Sequence, residues 1–95
     1  MDWNNVKAFV AVVRAGSISE AARSAGMSIA TLSRRIDQLE HATSLKLLLR
    51  SSSGVTVTQE GALFYRATHD AQTAMDTVQR VARSLKAREA ELPVR

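Results

Sequence analysis

The chain has 95 residues, of which 45% are apolar and 23% charged, with a formal net charge of +4 at pH 7. This length allows one modest hydrophobic core and excludes a second full domain. The absence of Cys excludes disulfides and thiolate metal sites, and the lack of a long apolar run or a secretory signal pattern favours a cytoplasmic protein that does not enter the membrane.

The first predicted helix begins at a cap provided by Asp2 or Asn4 and ends before Gly16. Its apolar residues recur at spacings of three and four, the period of one buried helix face, and are Val6, Phe9, Val10 and Val13. We expect Trp3 to pack at the start of this helix.

A second and a third helix are predicted to follow, separated by a short turn. Ser17 and Glu20 have capping-box spacing, which predicts a short helix that ends at Gly26. Ser28 then caps a third helix over 29–41, whose inward residues are Leu32, Ile36 and Leu39. The second helix is rich in Ala, which allows two helices to cross closely over a short turn. This is helix-turn-helix spacing.

The exposed face of the third helix carries the residue types of a DNA recognition helix. Turning by about 100° per residue from Leu32 places five residues on the opposite face and its flanks, namely Ala30, Thr31, Ser33, Arg34 and Asp37. Slim residues fit a major groove, hydroxyls bind phosphates or bases, and Arg pairs with guanine or phosphate. Residues 1–50 also hold +3 of the net charge. The alternative is a solvated face on which the Arg residues provide solubility.

A small hairpin is predicted next. Leu45, Leu47 and Leu49 alternate with Lys46 and Leu48, a Ser-Ser-Ser-Gly turn follows, and Val55 and Val57 alternate with Thr56 and Thr58. A hairpin after a helix-turn-helix is typical of a winged helix, in which the loop 51–54 lies on the DNA backbone or in the minor groove. The apolar residues of the hairpin also cover the core, and both roles hold at once.

A long helix is predicted from a cap at Thr58 to about Arg88, before Pro93. Small and apolar residues recur through three heptads along it and form a stripe, consisting of Phe64, Ala67, Ala71, Ala74, Met75, Val78, Val81, Ala82 and Leu85. Such a stripe predicts dimerisation with a second copy, and the alternative is that the helix folds back on its own core. The predicted organisation is a DNA-binding unit at 1–58, a linker helix at 59–90 and a frayed tail at 91–95.

Three segments resemble the N-terminal DNA-binding domain of bacterial LysR-type transcriptional regulators, and the likeness extends over nearly the whole chain. They are FVAVVRAGSISEAA, MSIATLSRRIDQLE and LKLLLRSSSGVTVTQEG. The residues that fall on family positions include Ser28, Leu32, Ser33, Arg34, Ile36, Leu39, Glu40, Arg50, Thr58 and Gly61.

The resemblance implies a mainly α winged helix-turn-helix with a two-stranded wing and a long linker helix. It further implies transcription regulation by a homodimer whose linker helices pair antiparallel, on a twofold-symmetric operator of double-stranded DNA, with tetramers where an effector domain follows. The positions that face DNA in the family are here Ser28, Thr31, Ser33, Arg34 and Ser53.

Some predicted contacts have two interpretations. Ile29 and Ala30 stand where the family often has a Gln-Pro pair, and they offer only apolar contact, for example to a thymine methyl. Ile29 is equally suited to the core beside Ile36. Arg50 braces the wing or holds a phosphate, and Arg35 is a phosphate contact. The predicted DNA-binding set is therefore Ser28, Ile29, Ala30, Thr31, Ser33, Arg34, Arg35, Arg50 and Ser53.

Two other classes of function are alternatives to DNA binding. A helical protein-interaction or dimerisation module without a nucleic-acid role would use only the stripe on the last helix. An enzyme is not expected, because the sequence has no phosphate-cradling glycine loop, no metal-ligand cluster and no evident nucleophile-base arrangement. His41 and His69 are the only imidazoles and lie far apart. No catalytic residue, metal or cofactor is predicted.

Overall fold

The computed structural model describes residues 1–91, which form four helices and one antiparallel sheet of two strands. The helices are α1 (Trp3–Ala15), α2 (Ile18–Ala25), α3 (Ile29–Thr43) and α4 (Gln59–Glu91), and between α3 and α4 lie β1 (Leu48–Ser51) and β2 (Gly54–Val57). Within these residues, none of the helices combines the length and the apolar character needed to cross a membrane. The predicted fold class, a winged helix-turn-helix with a long final helix, is confirmed.

Side-chain caps set the starts of the first three helices, as predicted. The side chains of Asp2, Ser17 and Ser28 accept hydrogen bonds from the backbone N–H groups of Asn4, Glu20 and Thr31 at 2.8, 3.1 and 3.1 Å. Each cap satisfies an amide that has no partner inside its helix. The connections between α1, α2 and α3 are therefore short and well defined.

The core lies between α1, α2, α3 and the base of the hairpin. Its largest fully buried side chains are Phe9, Val12, Leu32, Ile36, Leu39, Leu47 and Leu48. Ala21 and Ala22 of α2 are buried with them, so the Ala-rich face of α2 is the one that packs on the core. The ring of Phe9 also contacts Phe64 of α4 edge-to-face, with centroids 5.5 Å apart, so the first turns of α4 belong to the same core.

The predicted alternation of the first wing strand is wrong. Leu47 and Leu48 are adjacent and both fully buried, whereas Leu45 and Leu49 are exposed. The cause is Glu40, whose carboxylate accepts the backbone N–H groups of Leu47 at 2.7 Å and Leu48 at 3.2 Å. This contact turns the chain inward just before β1 begins, and the regular strand is delayed to Leu48–Ser51.

The third helix continues two residues beyond the predicted end, to Thr43. Ser44 ends it in the left-handed region, with φ of 56°, and its N–H bonds to the carbonyl of His41. Among residues 1–91, Ser44 is the only non-glycine residue with positive φ. Because a Cβ disfavours this conformation, Ser44 is a point of modest backbone strain.

Ser44→Gly should stabilise the chain. The substitution removes the penalty of a left-handed serine, and part of the gain is offset by the greater freedom of glycine in the unfolded state, so we expect about 0.5 to 1 kcal/mol more unfolding free energy. Urea unfolding at one protein concentration measures this difference. Ser52→Gly, in the wing turn where φ is not positive, is the control and should give no gain. A decrease in unfolding free energy for Ser44→Gly would contradict the explanation.

Helix α4 leaves the core after its first turns. It has 33 residues and so is about 50 Å long, and the molecule measures 62 by 26 by 19 Å. The Thr58 hydroxyl accepts the N–H of Gly61 at 2.9 Å, which confirms the predicted cap. The helix continues to Glu91, one residue beyond the predicted linker helix at 59–90, and the rest of the predicted tail, 92–95, lies outside the described residues.

Candidate nucleic-acid interface

The first half of α3 forms an exposed polar surface. Ala30 and Arg34 are exposed, and Thr31 and Ser33 are partly exposed on their flanks. The Ser28 hydroxyl donates to the Thr31 hydroxyl at 2.8 Å while it caps the helix. These residues lie on one side of α3 because Leu32 and Ile36 hold the opposite side in the core. The α3 residues predicted to contact DNA therefore share one exposed side of the helix.

Two cations on this helix are available to a ligand. Within residues 1–91, the guanidinium groups of Arg34 and Arg35 form no ion pair and no hydrogen bond with the protein. Arg35 lines a groove between α1 and α3 together with Lys7, which was not among the predicted DNA-binding residues. The exposure of Lys7 on α1 was visible in the helical period, but its position beside Arg35 depends on the packing of α1 against α3.

Arg50 connects the wing to α3. Its guanidinium donates to the Ser33 hydroxyl and to the Asp37 carboxylate, each at 2.7 Å. Two roles were predicted for Arg50, bracing the wing or holding a phosphate, and these two bonds support the first. The side chain points toward α3 and away from the wing tip, and the ion pair leaves the Asp37 carboxylate 64% exposed.

The wing tip is a hydroxyl-rich turn. The Ser51 and Ser53 hydroxyls are hydrogen-bonded to each other at 2.9 Å, and Ser53 is exposed as predicted. A groove of about 340 Å³ separates this turn from the start of α2 and is lined there by Ser17 and Ser19. Ser17 and Ser19 were not predicted as site residues, because the wing is brought beside the start of α2 by long-range contacts such as the bond from the Val55 N–H to the Gly16 carbonyl, at 3.2 Å.

Ile29 does not join the core. It is 55% exposed, whereas Ile36, two turns later on the same side of α3, is fully buried. The core covers this side only from Leu32 onward, so the first turn of α3 extends beyond it. The interpretation of Ile29 as a core residue is therefore wrong, and its predicted role as an apolar DNA contact stays a prediction.

The stripe on α4 divides into two parts. Phe64 is half-buried against Phe9, so the alternative of folding back on the core holds for this first residue of the stripe. The other eight are exposed, and they are Ala67, Ala71, Ala74, Met75, Val78, Val81, Ala82 and Leu85. Two of these apolar side chains are more than half exposed to solvent, Val78 at 61% and Leu85 at 57%.

An apolar groove of about 220 Å³ lies where α4 passes the start of α1. One wall of the groove consists of Met1, Trp3 and Val6. The other wall belongs to α4 and consists of Phe64, Ala67, Thr68 and Ala71. The groove therefore continues the exposed stripe onto the core.

A single pKa shift is resolved among residues 1–91, and it lies outside this interface. The hydrogen bond and the charge of Glu20 raise the pKa of the Arg23 guanidinium on α2. No group of three or more His, Asp or Glu residues in the described part of the chain is placed to hold a metal ion.

The short helix α2 is followed by α3, whose exposed side carries Arg34 and Arg35, and then by a hairpin that is braced against α3. This arrangement defines a winged helix-turn-helix protein. The sequence model of the family described as bacterial regulatory helix-turn-helix protein, lysR family, matches residues 3–62. The chain belongs to this family.

Two relatives are known transcriptional regulators by name. An HTH-type transcriptional regulator of Xanthomonas campestris pv. campestris is 33% identical over 85 residues, which are 90% of this chain and 22% of that protein. The HTH-type transcriptional activator AaeR of Escherichia coli K12 is 36% identical over 58 residues, 61% of this chain and 19% of that protein. The chain spans about a fifth of the length of these curated relatives.

Solved structures of the same family have the same fold. The BenM DNA-binding domain in complex with catB site 1 DNA superimposes with a TM-score of 0.86 at 29% identity, covering 94% of this chain and 96% of that one. The CbnR DNA-binding domain in its DNA complex gives a TM-score of 0.77 at 28% identity, with 94% and 99% covered. The similarity includes α4, because it extends well beyond residue 62.

Proposed function

We propose that this chain binds double-stranded DNA in a sequence-specific manner and serves as the DNA-binding part of a transcriptional regulator. The observation that carries the proposal is that, within residues 1–91, the guanidinium groups of Arg34 and Arg35 on α3 have no protein partner, in a chain of the LysR family. Related domains of BenM and CbnR have been solved with DNA, and their folds match this one closely.

In the proposed complex α3 enters the major groove. Ala30, Thr31, Ser33 and Arg34 face the base edges, since they share the exposed side of the first half of the helix. Arg35 and the Ser28 hydroxyl contact phosphates at the margin of the groove. These backbone contacts contribute affinity and orientation, whereas contacts to base edges contribute specificity.

The wing adds contacts to the backbone. Ser53 and the neighbouring hydroxyls of the turn bind phosphate oxygens, and Arg50 holds the wing in place through Ser33 and Asp37. Because the turn carries no cation, we expect no Arg or Lys from the tip to enter the minor groove.

We further propose that the functional unit is a homodimer formed through α4. In an antiparallel pair the second half of one α4 lies beside the first half of the other, so Val78, Val81 and Leu85 meet the apolar groove beside Trp3. A single helix that projects from its core gains little stability from tertiary packing. A second copy of the chain would supply the apolar surface against which the stripe can pack. Twofold symmetry then places two α3 helices in successive major grooves.

The test is selection from a library of random duplexes at about 0.15 M salt, where nonspecific phosphate attraction is partly screened. We expect enrichment of a site with twofold symmetry. Retention of duplexes without a shared sequence would contradict sequence-specific binding. No retention, even at low salt, would favour a module that acts only through the α4 stripe.

Arg34→Ala should weaken binding to the selected site by about 1 to 3 kcal/mol, because an exposed guanidinium at the centre of this face is expected to contact a base. Fluorescence anisotropy on the selected duplex and on a scrambled duplex measures the change. Arg83→Ala removes the same charge from α4 and is the control, with little effect on the preference between duplexes. Equal losses on both duplexes for Arg34→Ala would assign this side chain to phosphate.

A further inference from the structure

Asp37 is an acidic residue on the side of α3 that faces DNA in the proposed complex. Ala30, Arg34 and Asp37 are separated by four and three residues, so they lie within a narrow arc of the helix. The Asp37 side chain is 64% exposed, and it is the one carboxylate in this arc. A carboxylate here is unfavourable for a surface that only binds phosphates, because like charges repel.

The wing supplies the charge that makes this carboxylate compatible with DNA. Arg50 donates to one oxygen, Oδ1, at 2.7 Å and anchors its other terminal nitrogen on the Ser33 hydroxyl at 2.7 Å. A guanidinium held at two points fixes the carboxylate as well as offsetting its charge. The second oxygen, Oδ2, accepts no hydrogen bond from any residue in 1–91 and stays open to a ligand.

An ionised carboxylate only accepts hydrogen bonds, and this restricts the bases that it can contact in the major groove. Guanine presents the acceptors O6 and N7, and thymine presents O4, so both repel it. Adenine places the acceptor N7 beside its amino group. Cytosine presents the N4 amino donor, which is the base partner of Asp and Glu.

We propose that Asp37, held by Arg50, accepts a hydrogen bond from the N4 amino group of a cytosine in each half of the operator. This inference rests on the proposed DNA-binding function and adds a base preference to it. Asp37 determines specificity at that position, and Arg50 is a positioning residue that acts through Asp37.

The experiment compares the wild-type chain and Asp37→Asn in the same random-duplex selection, followed by anisotropy on duplexes that differ at single positions. Asn keeps an oxygen for Arg50 but presents an amide, which suits adenine N6 and N7. We expect the wild type to select cytosine at one position per half-site and to lose about tenfold or more in affinity when that pair is changed. In Asp37→Asn the same change should cost less than about twofold, or the preference should move to adenine.

Asp70→Asn is the matched control, since it removes an exposed carboxylate from α4 by the same chemical change. It should keep the cytosine preference, and thermal melting should show both variants folded. An Asp37→Asn variant that selects the wild-type site with the same cytosine preference would overturn the inference and leave the proposed function intact. An equal gain in affinity on every duplex would also overturn it, by placing Asp37 against phosphate. A wild-type chain that selects no site would overturn the proposed function itself.

Discussion

Gly61→Ala should lower the unfolding free energy by about 3 kcal/mol, the upper part of the range for overpacking a well-filled site. A Cβ at Gly61 would lie 2.1 Å from the Leu47 carbonyl oxygen and 3.0 Å from a methyl of Val57. That carbonyl cannot easily retreat, because it accepts a hydrogen bond from the Thr58 N–H at 3.1 Å, and the Thr58 hydroxyl holds the preceding carbonyl, of Lys46, at 2.6 Å. The substitution therefore forces α4 away from the wing.

Helix propensity alone predicts the opposite result. Gly61 lies in the first turn of α4, and replacing a helical Gly by Ala typically gains up to about 1 kcal/mol. The sign of the change in unfolding free energy therefore shows whether helix propensity or the tertiary packing of Gly61 dominates. Thermal melting at a fixed protein concentration is suitable, and a fall of roughly 10 °C or more is expected for a domain of this size.

Gly26→Ala is the control for this prediction. Gly26 has φ of 63°, and no neighbouring atom lies within 4 Å of an added Cβ. The Gly26→Ala substitution should therefore lower the unfolding free energy only through backbone strain, by about 1 kcal/mol. If Gly61→Ala proved no worse than Gly26→Ala, the close packing of α4 against Leu47 would not be a source of stability.

Helix boundaries were largely predictable because they depend on nearby residues. Ser17 and Ser28 cap helices through amides only three positions away, and Gly26 supplies the left-handed stop. The end of α3 was missed because Ser44, rather than a glycine, adopts the left-handed conformation there. No sequence rule favours that choice strongly.

The first wing strand could not be predicted in detail because its inward turn depends on a distant residue. Glu40 accepts N–H groups seven and eight positions along the chain, and this contact buries Leu47 and Leu48 together in place of simple alternation. The helical period does put Arg34 on an exposed face. It does not show that, among residues 1–91, Arg34 has no ion-pair partner whereas Arg50 is held by α3.

Individual residues on α3 and the wing were therefore predictable from the sequence, but the network that joins them was not, and Lys7, Ser17 and Ser19 were missed. Ser33, Asp37 and Arg50 were each visible in the sequence, yet the bonds between them cross 13 and 17 positions of the chain. The same limit applies to the groove between the wing and α2. Long-range contacts of this kind decide which polar groups remain free to meet a ligand.

Val78→Asp should dissociate the proposed dimer without unfolding the domain. Val78 is 61% exposed and lies in the part of α4 that leaves the core, so the aspartate is well solvated in one isolated chain. In an antiparallel pair each copy would bury this charge against apolar residues such as Ala71 and Val81. Because burying an unpaired charge costs several kcal/mol, we expect the dissociation constant of the dimer to rise by at least about 100-fold.

Sedimentation velocity over a range of protein concentrations measures this change, and Gln79→Asp is the matched control because it adds the same charge at the next position, outside the stripe. We expect Gln79→Asp to remain dimeric and Val78→Asp to become monomeric, with unchanged melting of the core. Since two linked copies bind two half-sites together, the monomer should also lose much of its affinity for a twofold site while its affinity for a single half-site stays the same. An unchanged dimer in Val78→Asp would show that the stripe on α4 is not the dimer interface.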